Sequence, residues 1–166
     1  MKIIWNYGAV PENLKVTQVY GIVFNNDGQM LLKVENKKGR KVYSFAGGTP
    51  ELFDKDREAT LRREFLEEVN TTLKKDVYLV GYQYIDEENG KPAYAQMRYT
   101  ALIDNIGKVQ PDPDNGETYE RILTTPQEAI NLLGWGEVGK LQIEEAVRIA
   151  KDKFDICFKD CEPRLV

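Results

Sequence analysis

The stretch RREFLEEVN, residues 62–70, carries Glu64, Glu67 and Glu68 directly after Arg63. On a helix these glutamates stand at i, i+3 and i+4, so their carboxylates crowd one side. Like charges at that spacing cost an isolated helix about 0.2–0.5 kcal/mol per pair. The positions four residues on are Glu68, Thr71 and Thr72, so no cation relieves the cluster from that direction. Two readings fit: a solvated acidic face, or a site for a hard divalent cation. Mg²⁺ and Mn²⁺ prefer oxygen ligands and bind through a few carboxylates plus substrate phosphates. Upstream, Gly47 and Gly48 end a strand-like segment, and glycine permits close approach of a main-chain carbonyl to an ion or ligand. A strand, a glycine pair and an acid-rich helix together make a compact oxygen cage, which favours the second reading.

The rest of the composition narrows the chemistry. There is no histidine, which excludes His-based acid/base catalysis and His-ligated zinc. The only cysteines, Cys157 and Cys161, make a poor structural zinc site and are expected as reduced thiols, one turn apart if the last helix continues through them. With 23 Lys and Arg against 27 Asp and Glu, the net charge of −4 argues against nonspecific binding to duplex nucleic acid. It leaves a nucleotide open, because a divalent cation inverts the local field. No apolar run approaches the roughly 20 residues of a membrane span, and the N-terminal stretch lacks the pattern of a secretory signal, so a cytoplasmic location is expected.

The elements that must position these residues follow from patterning. Strands are expected over 16–24, 29–35 (after the turn NNDG), 42–48, 76–86, 93–103 and 120–125. Along 93–103, Ala95, Met97, Tyr99 and Ala101 share one face, and Gln96, Arg98 and Thr100 the other. A first helix is expected over 57–69, capped by Asp56, with Leu61, Phe65 and Val69 as an apolar stripe that Leu66 widens. Asn70 suits the left-handed position that ends it. A second helix follows Thr125 with Pro126 at its first position, and a third covers 141–154. Length and the absence of repeats or linkers suggest one mixed α/β domain over residues 1–166.

Residues 47–71, GGTPELFDKDREATLRREFLEEVNT, resemble the Nudix box, G-x5-E-x7-R-E-U-x-E-E-x-G-U with U aliphatic. The core REFLEE, Arg63 to Glu68, matches R-E-U-x-E-E with Phe65 at U. Gly48 to Arg63 is one residue longer than the pattern. Lys55, between Asp54 and Asp56, stands where the mid-box glutamate would fall, and Asn70 and Thr71 replace the closing glycine and aliphatic residue. The resemblance implies a Nudix-type α/β/α sandwich with a mixed sheet between helices. It also implies hydrolysis of a diphosphate bond in a nucleoside diphosphate linked to another moiety X, such as a nucleoside triphosphate or nucleotide sugar, with Mg²⁺ or Mn²⁺ as cofactor.

Carried over by position, Glu64, Glu67 and Glu68 are metal ligands, one of them a candidate for activating water. Arg63 orients the carboxylates, and a carbonyl of Gly47 or Gly48 completes the shell. Relatives often take a further acid from a later loop; Glu117 and Glu120 are candidates, each also readable as a plain surface acid. Lys38 and Arg40, in the basic loop NKKGRK, and Arg98 are candidate substrate contacts. A small-molecule nucleotide is the implied partner, and a homodimer is left open. The alternative is a catalytically weak Nudix-like module that binds a nucleotide or acts in regulation, motivated by the extra residue and the missing mid-box glutamate.

Overall fold

The structure, a computed structural model describing residues 1–166, is built on one mixed sheet with helices on both faces. Its strands are β1 (Lys2–Tyr7), β2 (Lys15–Phe24), β3 (Met30–Lys37), β4 (Arg40–Ser44), β5 (Gly47–Gly48), β6 (Thr71–Asp86), β7 (Tyr94–Ile106), β8 (Glu120–Thr124) and β9 (Arg164–Leu165). Its helices are α1 (Arg57–Val69), α2 (Pro126–Leu133) and α3 (Gly136–Lys153). The strand order is β1-β6-β7-β2-β3-β8-β9, with β2 and β7 parallel and the other pairs antiparallel. The expected α/β class is borne out.

The alternating pattern of the strands gives each face of the sheet its own core. Val19, Met97 and Ala101 pack with Leu61, Phe65 and Val69 of α1. Ile22, Phe24 and Leu32 pack with Ile143, Ala146 and Ala150 of α3 and with Ala129 of α2. Phe65 is fully buried, and its truncation to alanine costs about 3–5 kcal/mol. Leu66 does not widen the buried stripe; it is exposed, one position round the helix from Phe65.

The sheet splits where the glycine pair lies. β2 and β3 meet only at Phe24↔Met30, and β5 pairs with β2 through Val19↔Gly48 and Tyr20↔Gly47. The single strand expected over 42–48 is therefore two, β4 and β5, with Phe45 and Ala46 between them. Gly47 forces the break: its φ is 153°, and a Cβ there would run into the main chain of Val19 and Tyr20. β1 was not expected, and α3 starts five residues earlier than the 141–154 pattern suggests. α3 ends at Lys153, so Cys157 and Cys161 lie beyond it as free thiols rather than one helical turn apart.

Candidate active site

The acidic helix is fixed at both ends. Asp56 caps α1 by accepting from Ala59 N–H at 2.8 Å, and Asn70 ends it in the left-handed conformation with φ 49°. The inserted loop before it supplies Asp54, whose two oxygens accept from Arg63 Nε and Nη2 at 2.9 Å each. Asp54 also accepts from Thr60 Oγ1 and Glu51 N–H. These bonds, the guanidinium above all, hold the Asp54 carboxyl well below the usual carboxylate range. Sequence patterning found no mid-box acid aligned with Arg63; in space Asp54 grips it, one residue away from the aligned Lys55.

Cations do relieve the cluster, one from four residues upstream of Glu67 on the same helix and one from the sheet. Arg63 Nη1 donates to Glu64 Oε1 at 2.8 Å and to Glu67 Oε2 at 3.1 Å. From β3, Lys33 Nζ donates to Glu68 Oε1 at 2.9 Å, while Gly47 N–H donates to Glu68 Oε2 at 3.1 Å. Lys33 also pairs with Glu35 at 3.3 Å and sits 4.5 Å from the Tyr119 ring centroid. Lys33 was not among the residues the sequence singled out. The alternation of β3, with apolar Leu31 on the same face and Leu32 on the other, is the signal that places a lysine under α1.

A cavity of about 790 Å³ opens in the split of the sheet, lined by Glu64, Glu68, Gly47, Gly48, Lys33 and, from a later loop, Asp112, while Arg63 and Glu67 lie outside its lining. Gly48 leaves room there for the Glu64 carboxylate, which a Cβ would displace. Burial pushes Glu64 up to about 7, against the pull of Arg63, with Glu68 and Glu67 adding to the rise. Burial likewise raises Glu68, with Lys33 opposing. Burial works against the charge of Lys33, but Glu68 and Glu35 outweigh it and raise its pKa.

The donor set fits a hard divalent cation. Glu64 and Glu67 each engage Arg63 through one oxygen and keep the other free of protein partners. Glu64 is a buried carboxylate whose charged form Arg63 alone among the protein's cations offsets directly. Glu68 has both oxygens engaged, by Lys33 and Gly47. The acids do not converge as a ready-made cage of three in this arrangement.

The other sequence candidates divide. Arg98 lines the cavity. Glu117 does not: it is exposed and accepts from Tyr119 Oη at 3.0 Å. Glu120 is exposed at the start of β8, 3.8 Å from Lys41. Lys38 is exposed in the β3–β4 turn and Arg40 at the start of β4, and neither lines the cavity. The later-loop acids that do line it are Asp112 and Asp114, in the same turn as Glu117. That turn closes on itself through Asp112 N–H to Glu117 O and Asp114 N–H to Asp112 Oδ1.

The NUDIX domain profile matches residues 14–146 of the chain. The chain belongs to the Nudix family, whose members hydrolyse pyrophosphate bonds and generally use divalent metal ions. Among solved structures, the Bacillus subtilis pyrophosphohydrolase BsRppH is 18% identical, with 92% of each chain covered and a TM-score of 0.67. The E. coli ORF135 protein is 19% identical over 87% of this chain and 99% of that one, with a TM-score of 0.58. The C. elegans Ap4A hydrolase is 15% identical over 82% of this chain and 98% of that one, with a TM-score of 0.53. At these identities the likeness is one of fold. No protein of curated function matches the sequence significantly. No helix is long and apolar enough to cross a membrane.

Proposed function

We propose that the chain, as one Nudix domain over residues 1–166, hydrolyses a diphosphate bond in a nucleoside diphosphate linked to a moiety X, with Mg²⁺ or Mn²⁺. The observation that carries the reading is the cavity wall of Glu64 and Glu68 against Gly47 and Gly48, with Glu64 held partly desolvated beside Arg63. Glu64 and Glu67 would hold the ion through the oxygens that Arg63 leaves free. When bound, the ion neutralises diphosphate charge and polarises the phosphorus–oxygen bonds.

The protein's own work is then orientation and electrostatics. Asp54 fixes Arg63, and Arg63 fixes the rotamers of Glu64 and Glu67 through charge-assisted bonds. Lys33 and Gly47 hold Glu68 against the glycine strand. Asp112 faces the helix acids across the cavity and is the candidate for accepting a proton from the attacking water.

The test is phosphate release from a panel of nucleoside triphosphates, nucleotide sugars, ADP-ribose and dinucleotides with Mg²⁺ or Mn²⁺. Turnover is expected, reduced about 100-fold or more in Glu67→Gln with an unchanged metal-free melting temperature. Wild-type turnover in that variant would remove the assigned role. Nucleotide binding without turnover across the panel would favour a binding module instead.

A further inference from the structure

The acids form one end of the cavity; the other end has different chemistry. Two rows of side chains cross three strands there. Gln83 of β6, Gln96 of β7 and Gln18 of β2 are successive register partners. The next row runs Gly81, Arg98, Tyr20 and Gly47, and so leads from Arg98 to the glycine strand that Glu68 touches.

Arg98 is only 2% exposed and has no carboxylate partner. It donates from Nε to Gln142 Oε1 at 2.8 Å and from Nη2 to Gln83 Oε1 at 2.9 Å. Its Nη1 contacts to main-chain carbonyls are long, at 3.3 and 3.4 Å. The guanidinium carbon lies 4.7 Å from the Tyr20 ring centroid and 5.9 Å from that of Phe45. Burial without a counterion lowers its pKa to about 10, Tyr20 opposing. The other deeply buried arginine, Arg121, is built differently: it donates to the carbonyls of Val166, Val69 and Gly107 at 2.7–3.1 Å and lies outside this cavity.

The Arg98 guanidinium, which can only donate, orients the Gln83 amide. Gln83 Oε1 is taken by Arg98. Gln18 Oε1 accepts from Tyr20 Oη at 2.8 Å and Gln96 Nε2 at 2.5 Å. Gln83 therefore keeps its NH₂ group unspent, and Arg98 keeps an Nη2 hydrogen. This end of the cavity therefore offers the Gln83 NH₂ group and an Arg98 N–H side by side as donors. At its rim Trp135, packed edge-on against Phe45 at 5.2 Å, presents an exposed indole.

We propose that this end is a nucleobase subsite selecting keto bases, guanine and uracil, over amino bases, adenine and cytosine. The proposal rests on the hydrolase reading and specifies its substrate. Guanine O6 and uracil O4 accept hydrogen bonds, whereas adenine N6 and cytosine N4 carry donors at the corresponding edge. Against Arg98 and the Gln83 NH₂ group, an amino base sets donor against donor and leaves buried groups unpaired. A phosphate could also answer an uncompensated guanidinium. The aromatic faces of Tyr20, Phe45 and Trp135 favour a flat ring instead.

Calorimetry with GMP, UMP, AMP and CMP tests this, with inorganic phosphate and guanosine as further probes. GMP and UMP are expected to bind about tenfold or more tighter than AMP and CMP. Gln83→Glu, which removes one donor and pairs with Arg98, is expected to erase the difference at an unchanged melting temperature. Arg98→Met serves as the second variant, with folding checked in the same way. Equal affinities, a preference for AMP or CMP, or a keto preference that survives Gln83→Glu would overturn the proposal. So would inorganic phosphate displacing guanosine, which would assign Arg98 to an anion. None of these ligands contains a diphosphate bond, so base preference and hydrolysis can fail independently of one another.

Discussion

Lys33 Nζ lies 2.9 Å from Glu68 Oε1, and both side chains are about nine-tenths removed from solvent. A lysine from the sheet thus meets the last acid of the helix from below, while Arg63 meets the first two from within the helix. The carboxylate cluster is not a bare concentration of charge awaiting an ion. Two of its members keep free oxygens, and the third is already neutralised by the protein.

Removing that lysine should be costly in the metal-free protein. Lys33→Met leaves Glu68 as a mostly buried charge without its partner, a loss of roughly 3 kcal/mol for pairs of this kind. Urea denaturation without metal should show it. Glu68→Gln in the Lys33→Met background should recover part of the loss, because the stranded charge is then gone. No recovery would mean that the two side chains do not depend on one another.

Glu64 sets a pH dependence whose sign is fixed. Its carboxyl is raised from the ordinary 4.5 to about 7, chiefly by burial, so the folded protein holds a proton that the unfolded chain has released. The stability it contributes is full below pH 4.5 and is lost as pH rises through 7. The raised Glu68 acts in the same direction. The metal-free melting temperature should fall between pH 5 and pH 8, and Glu64→Gln should flatten that fall. Saturating Mg²⁺ should oppose it by favouring the charged carboxylate.

Asp54 is expected to act on the reaction through Arg63. Asp54→Asn keeps the shape but weakens the paired bonds at 2.9 Å that hold the guanidinium. Loss of such a supporting contact typically costs about 10- to 100-fold in activity or metal affinity. Turnover and Mn²⁺ affinity should fall together, with KM for the nucleotide little changed. A change in KM alone would assign Asp54 to substrate binding.

Much of this was legible in the sequence, and the misses share a cause. The acidic helix, its caps at Asp56 and Asn70, and its stripe of Leu61, Phe65 and Val69 follow from local spacing, which one chain segment carries in full. Lys33 and Asp54 act across distances of 35 and 9 residues, where spacing carries no signal. Which acid of a later loop reaches the cavity is likewise invisible to spacing. Glu117 and Asp112 belong to one turn, yet only Asp112 lines the cavity. β1 is an edge strand whose place is set by its register with β6, from Lys2↔Asp86 to Tyr7↔Gly81.

The loop acids therefore make a discriminating pair of predictions. Glu117→Gln and Glu120→Gln should change turnover by no more than about twofold, as expected for exposed positions outside the cavity. Asp112→Asn should lower it about tenfold or more. Initial rates with any substrate found in the panel would decide between them, and the reverse order would return the role to the glutamates.

The central claim is that α1 takes up a divalent ion through the oxygens Arg63 leaves free, and direct Mn²⁺ titration tests it without requiring a substrate. Calorimetry at neutral pH should show saturable uptake by the wild-type protein. Glu64→Gln should weaken it at least about tenfold while Glu120→Gln leaves it unchanged. No uptake by the wild-type chain, or equal uptake by both variants, would contradict the account.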